Sequence, residues 1–196
     1  MPSISVEVNG ARIATISLAG QEVVDVSVSG ALDRDPKAII HSGGSHRKDG
    51  AYGHLIWIAE QALLPGDAVC LSLEESCGIA DQGKTIDELY PDEAPCTRTD
   101  FTIDDNMAAQ LRSRPRLHDA FAVQVETSSG QQATAASDDL NTAFSFSLLW
   151  DSFHPHQARV RLATHCLDDV LARTGGTTHL KTILSVGDSA SFVLAR

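Results

Sequence analysis

Aromatic residues are scarce in this chain: two Trp, two Tyr and six Phe make up 5% of its 196 residues. A carbohydrate-binding β module presents a platform of Trp and Tyr, and this composition argues against one. Trp57 and Trp150 sit inside strand-like runs, one in each half, and read as core residues. Bases are also few, 15 Lys and Arg against 26 Asp and Glu. Nucleic acid and anionic membranes both require a positive surface, so neither is expected as a partner. No apolar run approaches the ~18 residues of a membrane helix. Met1-Pro2-Ser3-Ile4-Ser5 lacks the basic region and apolar core of a signal peptide, and the expected compartment is the cytoplasm. Cys70, Cys77, Cys96 and Cys166 form no Cys-x-x-Cys pair and fit no zinc spacing, which predicts free thiols. Gly-x-Ser-x-Gly is missing, the Gly43 to Gly50 stretch lacks the Gly-Lys-Ser/Thr order of a phosphate-binding loop, and no cofactor is implied.

What the chain does contain is a weak repeat. His54-Leu55 is followed by Gly66-Asp67 and the run Ala68 to Leu73; His179-Leu180 is followed by Gly187-Asp188 and the run Ser189 to Leu194. Each block follows a glycine pair, Gly43-Gly44 or Gly175-Gly176. Self-similarity of this kind points to a duplicated architecture. Ile4, Val6 and Val8 alternate with polar residues, and Asn9-Gly10 turns the chain into a second strand, Ala11 to Leu18. Val24, Val26 and Val28 place a third strand, and Lys37 to His41 a fourth. Leu55 to Ile58 reads as strand, with a helix over 55–64 as the competitor. In the second half Phe121 to Val125, Gln131 to Ala136, Ala143 to Leu149, Arg159 to Leu162 and Leu180 to Leu184 read as strands, with a short helix at Leu167 to Arg173. Short strands with frequent turn signals predict a mainly β chain. The expected fold is two small β-sandwich or barrel-like units, 1–75 and 118–196, packed together or merged into one larger sandwich. An acidic linker with a short helix, 76–117, joins them.

The charge is placed unevenly. Residues 74–106 hold ten acids and two bases, a net of −8 within a formal net of −11. Asp87, Glu88, Asp92, Glu93, Asp100, Asp104 and Asp105 in this stretch are the candidate contacts for a basic protein partner. Three further constellations carry potential chemistry. Gly43 to Gly50 reads as a glycine-rich polar loop whose His46, Arg47 and Lys48 suit an anion. His154 and His156 fall on one side of an extended segment, with Asp151 and His165 as further metal ligands. His54 and His179 occupy equivalent places in the repeat and would approach if the units faced each other.

The broad profile, acidic and without a motif for catalysis, is similar to that of small acidic bacterial immunity or antitoxin-type inhibitors. That likeness is one of composition, and no family motif is matched residue by residue. It implies a non-enzymatic protein that binds a basic partner. A metal-binding protein or hydrolase using His154, His156 and His165 is the first alternative. An assembly subunit is the second, since exposed edge strands invite homo-oligomers.

Overall fold

The computed structural model describes residues 2–48, 50–76, 78–93 and 103–195. The first half supplies β1 (Ser3–Val8), β2 (Ala11–Ser17), β3 (Gln21–Ala31), β4 (Ala38–Lys48), β5 (Ala51–Leu63) and β6 (Ala68–Glu74). Two helices follow, α1 (Ile86–Leu89) and α2 (Asp105–Arg112). The second half supplies β7 (Ala122–Thr127), β8 (Gln132–Ala136), β9 (Ala143–Asp151), β10 (Gln157–His165), α3 (Leu167–Leu171), β11 (Thr177–Ser185) and β12 (Ser189–Leu194). The expectation of a mainly β fold holds. None of the described helices is long and apolar enough to cross a membrane.

The twelve strands form two antiparallel sheets, A in the order β2-β1-β6-β12-β7-β8 and B in the order β11-β10-β9-β3-β4-β5. Both orders reverse onto themselves when each of β1–β6 is exchanged for the strand six places later. The halves join side by side through β6 with β12 and β3 with β9, so each sheet runs continuously through both. The inner faces are set by alternation. Ile4, Val6, Leu71 and Phe192 of sheet A meet Val24, Val26, Val28, Phe144, Phe146 and Leu148 of sheet B in one buried core. Phe192 stacks on Phe144 and Phe146 with ring centroids 5.8 and 5.4 Å apart, locking the sheets together. Asn9 and Gly10 take positive φ of 54° and 77°, the tight turn that their sequence signals.

One expectation is corrected. The polar stretch from Ser42 is not a loop: it continues β4 to Lys48, paired with β3 on one side and β5 on the other. Its glycines serve packing, since a Cβ on Gly43 would lie 2.9 Å from His54 Nε2 and 3.1 Å from His41 Cε1. The described part of the acidic stretch is irregular apart from α1, as expected, but it is tied to both sheets. Asp81 exchanges backbone hydrogen bonding with the edge of β2: its N–H reaches Thr15 O at 2.8 Å, and its carboxylate accepts from Thr15 N at 2.7 Å. Lys84 then pairs with Ile56 on β5 through two backbone bonds of 2.8 and 2.9 Å. Residues 81–84 thus strap the edge of sheet A to the edge of sheet B.

Candidate functional site

The strap positions the acidic candidates. Trp57 donates its indole N–H to Asp81 O at 3.2 Å, and Gly83 sits against Leu55 and Trp57. Immediately after the Lys84 bridge, Thr85 caps α1. Glu88 N–H reaches the Thr85 hydroxyl at 3.3 Å, and the Glu88 carboxylate accepts from Thr85 N–H at 2.7 Å. This reciprocal pair satisfies donors a helix start leaves open. It also holds the Glu88 carboxyl below its usual pKa. No residue of α1 is buried. Ile86 is 55% exposed and Tyr90 is exposed as well, among Asp87, Glu88, Asp92 and Glu93, while Ile79, 91% exposed, precedes the strap.

The other acidic candidates do not join this surface. Asp104 is the N-cap of α2, accepting from Met107 N–H at 2.7 Å, and Asp105 lies in that helix's first turn. The helix α2 lies against α3 through the Arg112–Asp168 ion pair of 2.8 Å, whereas α1 lies against β5. Asp100 falls outside the described residues.

The anion-loop candidates are not gathered either. Successive residues of a strand face opposite sides, so His46 and Arg47 diverge. Arg47 approaches Glu22 at 3.6 Å, the His46 ring covers Gly53, and the Lys48 side chain lies outside the described set. The register pairs His46 with both β3 and β5, and Arg47 and Lys48 with β5.

The histidines are dispersed. His154 and His156 lie in the turn between β9 and β10, while His165 ends β10, nine residues long and roughly 27 Å in extent. Burial pushes the His165 imidazole down. Among the described residues no group of three or more His, Cys, Asp or Glu is arranged to hold a metal ion. His54 and His179 lie on β5 and β11, the opposite edges of sheet B, five spacings or roughly 24 Å apart. His179 is bonded to the buried Thr164 hydroxyl at 2.8 Å. Cys166, an intermediate-burial free thiol, caps α3 beside Asp169, whose carboxylate accepts its N–H at 3.0 Å.

Two arrangements escape sequence reasoning. On the outward face of sheet B, Asp25 stands directly across from Gly43, and the rings of His41 and His54 lie over that glycine. Burial raises the Asp25 carboxyl above the usual carboxylate range, against the Ser27 hydrogen bond and the charge of His41. The second is a groove of about 160 Å³ where Asp151 binds His154 Nδ1 at 3.0 Å and Arg159 Nη2 at 2.9 Å, between Leu149 and Ile183. Strand pairing alone reveals the first, whose partners belong to three strands, and it brings Arg159 and Ile183 to the Asp151–His154 pair in the second.

By class the molecule is a two-sheet antiparallel β-sandwich with a strapped edge that displays an acidic, apolar-tipped turn. No protein-family model matches the chain, nor does any curated protein or solved structure.

Proposed function

We propose that the protein is a non-catalytic binding protein that engages a basic protein partner through the strapped edge, in the manner of an inhibitor or immunity-type protein. One observation supports this above the others: Ile86 and Tyr90 project from a segment anchored to both sheets, flanked by Asp87, Glu88, Asp92 and Glu93. Exposed apolar groups on an ordered support are the anchors that interfaces bury, and fixed surrounding charge steers association. Ordering the segment in advance lowers the entropy lost on docking.

The test is capture of basic proteins from an extract of the native cell, followed by affinity measurement with the purified partner at two salt concentrations. Glu88 is left intact because it holds α1. The triple variant Asp87→Asn, Asp92→Asn, Glu93→Gln is expected to slow association about tenfold at low salt and flatten the salt dependence. Ile86→Ala with Tyr90→Ala is expected to weaken binding about tenfold or more at every salt concentration. A partner bound equally well by both variants would exclude this surface.

A further inference from the structure

We propose that the groove between the β9–β10 turn and β11 binds a small organic carboxylate bearing an apolar group. Three sets of observations lead there. The first is room: the groove, partly open to solvent, offers about 160 Å³, and a space on the order of 150 Å³ accepts one benzene-sized group. The second is the lining. Arg159 stands on the outward face of sheet B, directly across from Leu149 on one neighbour and Ile183 on the other. Leu149 supplies further apolar surface, and Ile183 is 56% exposed, which leaves a hydrophobic wall open to solvent. The third is the charge. Among the described residues Arg159 makes one hydrogen bond, from Nη2 to Asp151 at 2.9 Å, so the rest of its fork remains for a ligand. That bond also orders the guanidinium in advance, which reduces the entropy cost of recognition.

A cation does not suit this place. The Asp151 carboxylate already accepts from Arg159, from His154 Nδ1 and from the backbone N–H groups of Phe153 and His154. Its lone pairs are committed, and the arginine beside it repels a metal. The surroundings favour an anion: Arg161 follows two residues along the same face, with Lys181 directly opposite it on β11. In a chain of net charge −11 this face is locally basic. A planar carboxylate matches the geometry of a guanidinium.

The test is an NMR titration of the full chain with sodium benzoate, read at the amides of Leu149, Ala158 and Ile183. Saturable shifts at these amides are expected, with acetate and benzyl alcohol each binding at least about tenfold more weakly, since one lacks the ring and the other the charge. Arg159→Gln is expected to weaken benzoate about tenfold, the value of a charged hydrogen bond. Ile183→Asp, also a surface change, is expected to abolish binding; unchanged amide positions in sheet A verify that both variants are folded. N-acetylphenylalanine presents the same chemistry as a peptide C-terminus: tighter binding than benzoate assigns the groove to a peptide end, weaker binding to a free acid. Unmoved groove amides, equal affinity for benzyl alcohol and benzoate, or full affinity in Arg159→Gln would each overturn the proposal.

Discussion

Asp25 illustrates how a single residue is set by what a strand places over it. It pairs with Gly43, which has no side chain to separate it from the rings of His41 and His54. Desolvation outweighs the favourable Ser27 bond and His41 charge, and the carboxyl titrates above its ordinary value. A raised native pKa means that the folded chain holds this proton more tightly than the unfolded chain does. The stabilisation is therefore present below the unfolded carboxylate range and lost as pH rises through the native value. Asp25→Asn is expected to raise the urea midpoint at about pH 7, with the advantage over the parent shrinking as the pH is lowered towards about 3. A midpoint unchanged or lowered at neutral pH would show that the charge is compensated. Asp138, Asp151 and Asp169 behave oppositely. Their carboxyls are held below the usual range, chiefly by hydrogen bonds from Asn141, His154 and Cys166 respectively, so their contribution is present at neutral pH and fades as pH falls through their native values.

Among the elements, the strap is the one whose removal changes the molecule most locally. Gly83 lies so close to β5 that an added Cβ would stand 2.9 Å from Leu55 Cβ and 3.0 Å from Trp57 Cε2. Neither neighbour is the loose end of a flexible chain. Gly83→Ala is expected to lift the strap and cost about 1–3 kcal/mol. Amide exchange should accelerate at Ile56 and Lys84, which hold each other, while the β6–β12 amides keep their protection. Unchanged exchange at Ile56 would mean that the strap accommodates the methyl. The strap also marks the limit of what the chain's pattern conveys. Alternation located β1, β3 and β9, because their apolar residues face a core. It did not locate the Asp81–Lys84 pairing, since two edge contacts with β2 and β5 leave no periodicity. Nor did it find α1, a four-residue helix with none of its residues buried. The Ser42 to Lys48 stretch looked like a loop because its glycines signal turns, whereas the rings of His41 and His54 use the space that Gly43 leaves. For the same reason the Asp25 arrangement was invisible: Asp25 and His41 belong to different strands, and only the register brings them near. Asp151 and His154 were legible as candidates, being three residues apart, but their partner Arg159 was not.

The whole molecule behaves as one unit if the sheets do. Each half contributes three strands to each sheet, and a half alone would expose the ladders β6–β12 and β3–β9 as well as one side of the core. A unit of about 75 residues buries too little surface to be more than marginally stable by itself. Unfolding is therefore expected to be a single cooperative transition. Two tryptophans test this from opposite halves: Trp57 on β5, half-buried against the strap, and Trp150 on β9, buried and donating its indole N–H to Pro155 O at 3.1 Å. Phe192 lies on β12, across from Val69 on β6 and stacked on Phe144 and Phe146, so its loss strikes the seam between the halves. Phe192→Ala is expected to cost about 3–5 kcal/mol through lost burial and the remaining cavity. The decisive comparison introduces it into Trp57→Phe and Trp150→Phe backgrounds and follows the remaining tryptophan in urea. One shared sandwich requires the same loss from both reporters, although Phe192 belongs to the half that lacks Trp57. A Trp57 signal whose midpoint ignores the substitution would mean that the halves unfold separately, and the continuous sheets would then be a contact between two domains.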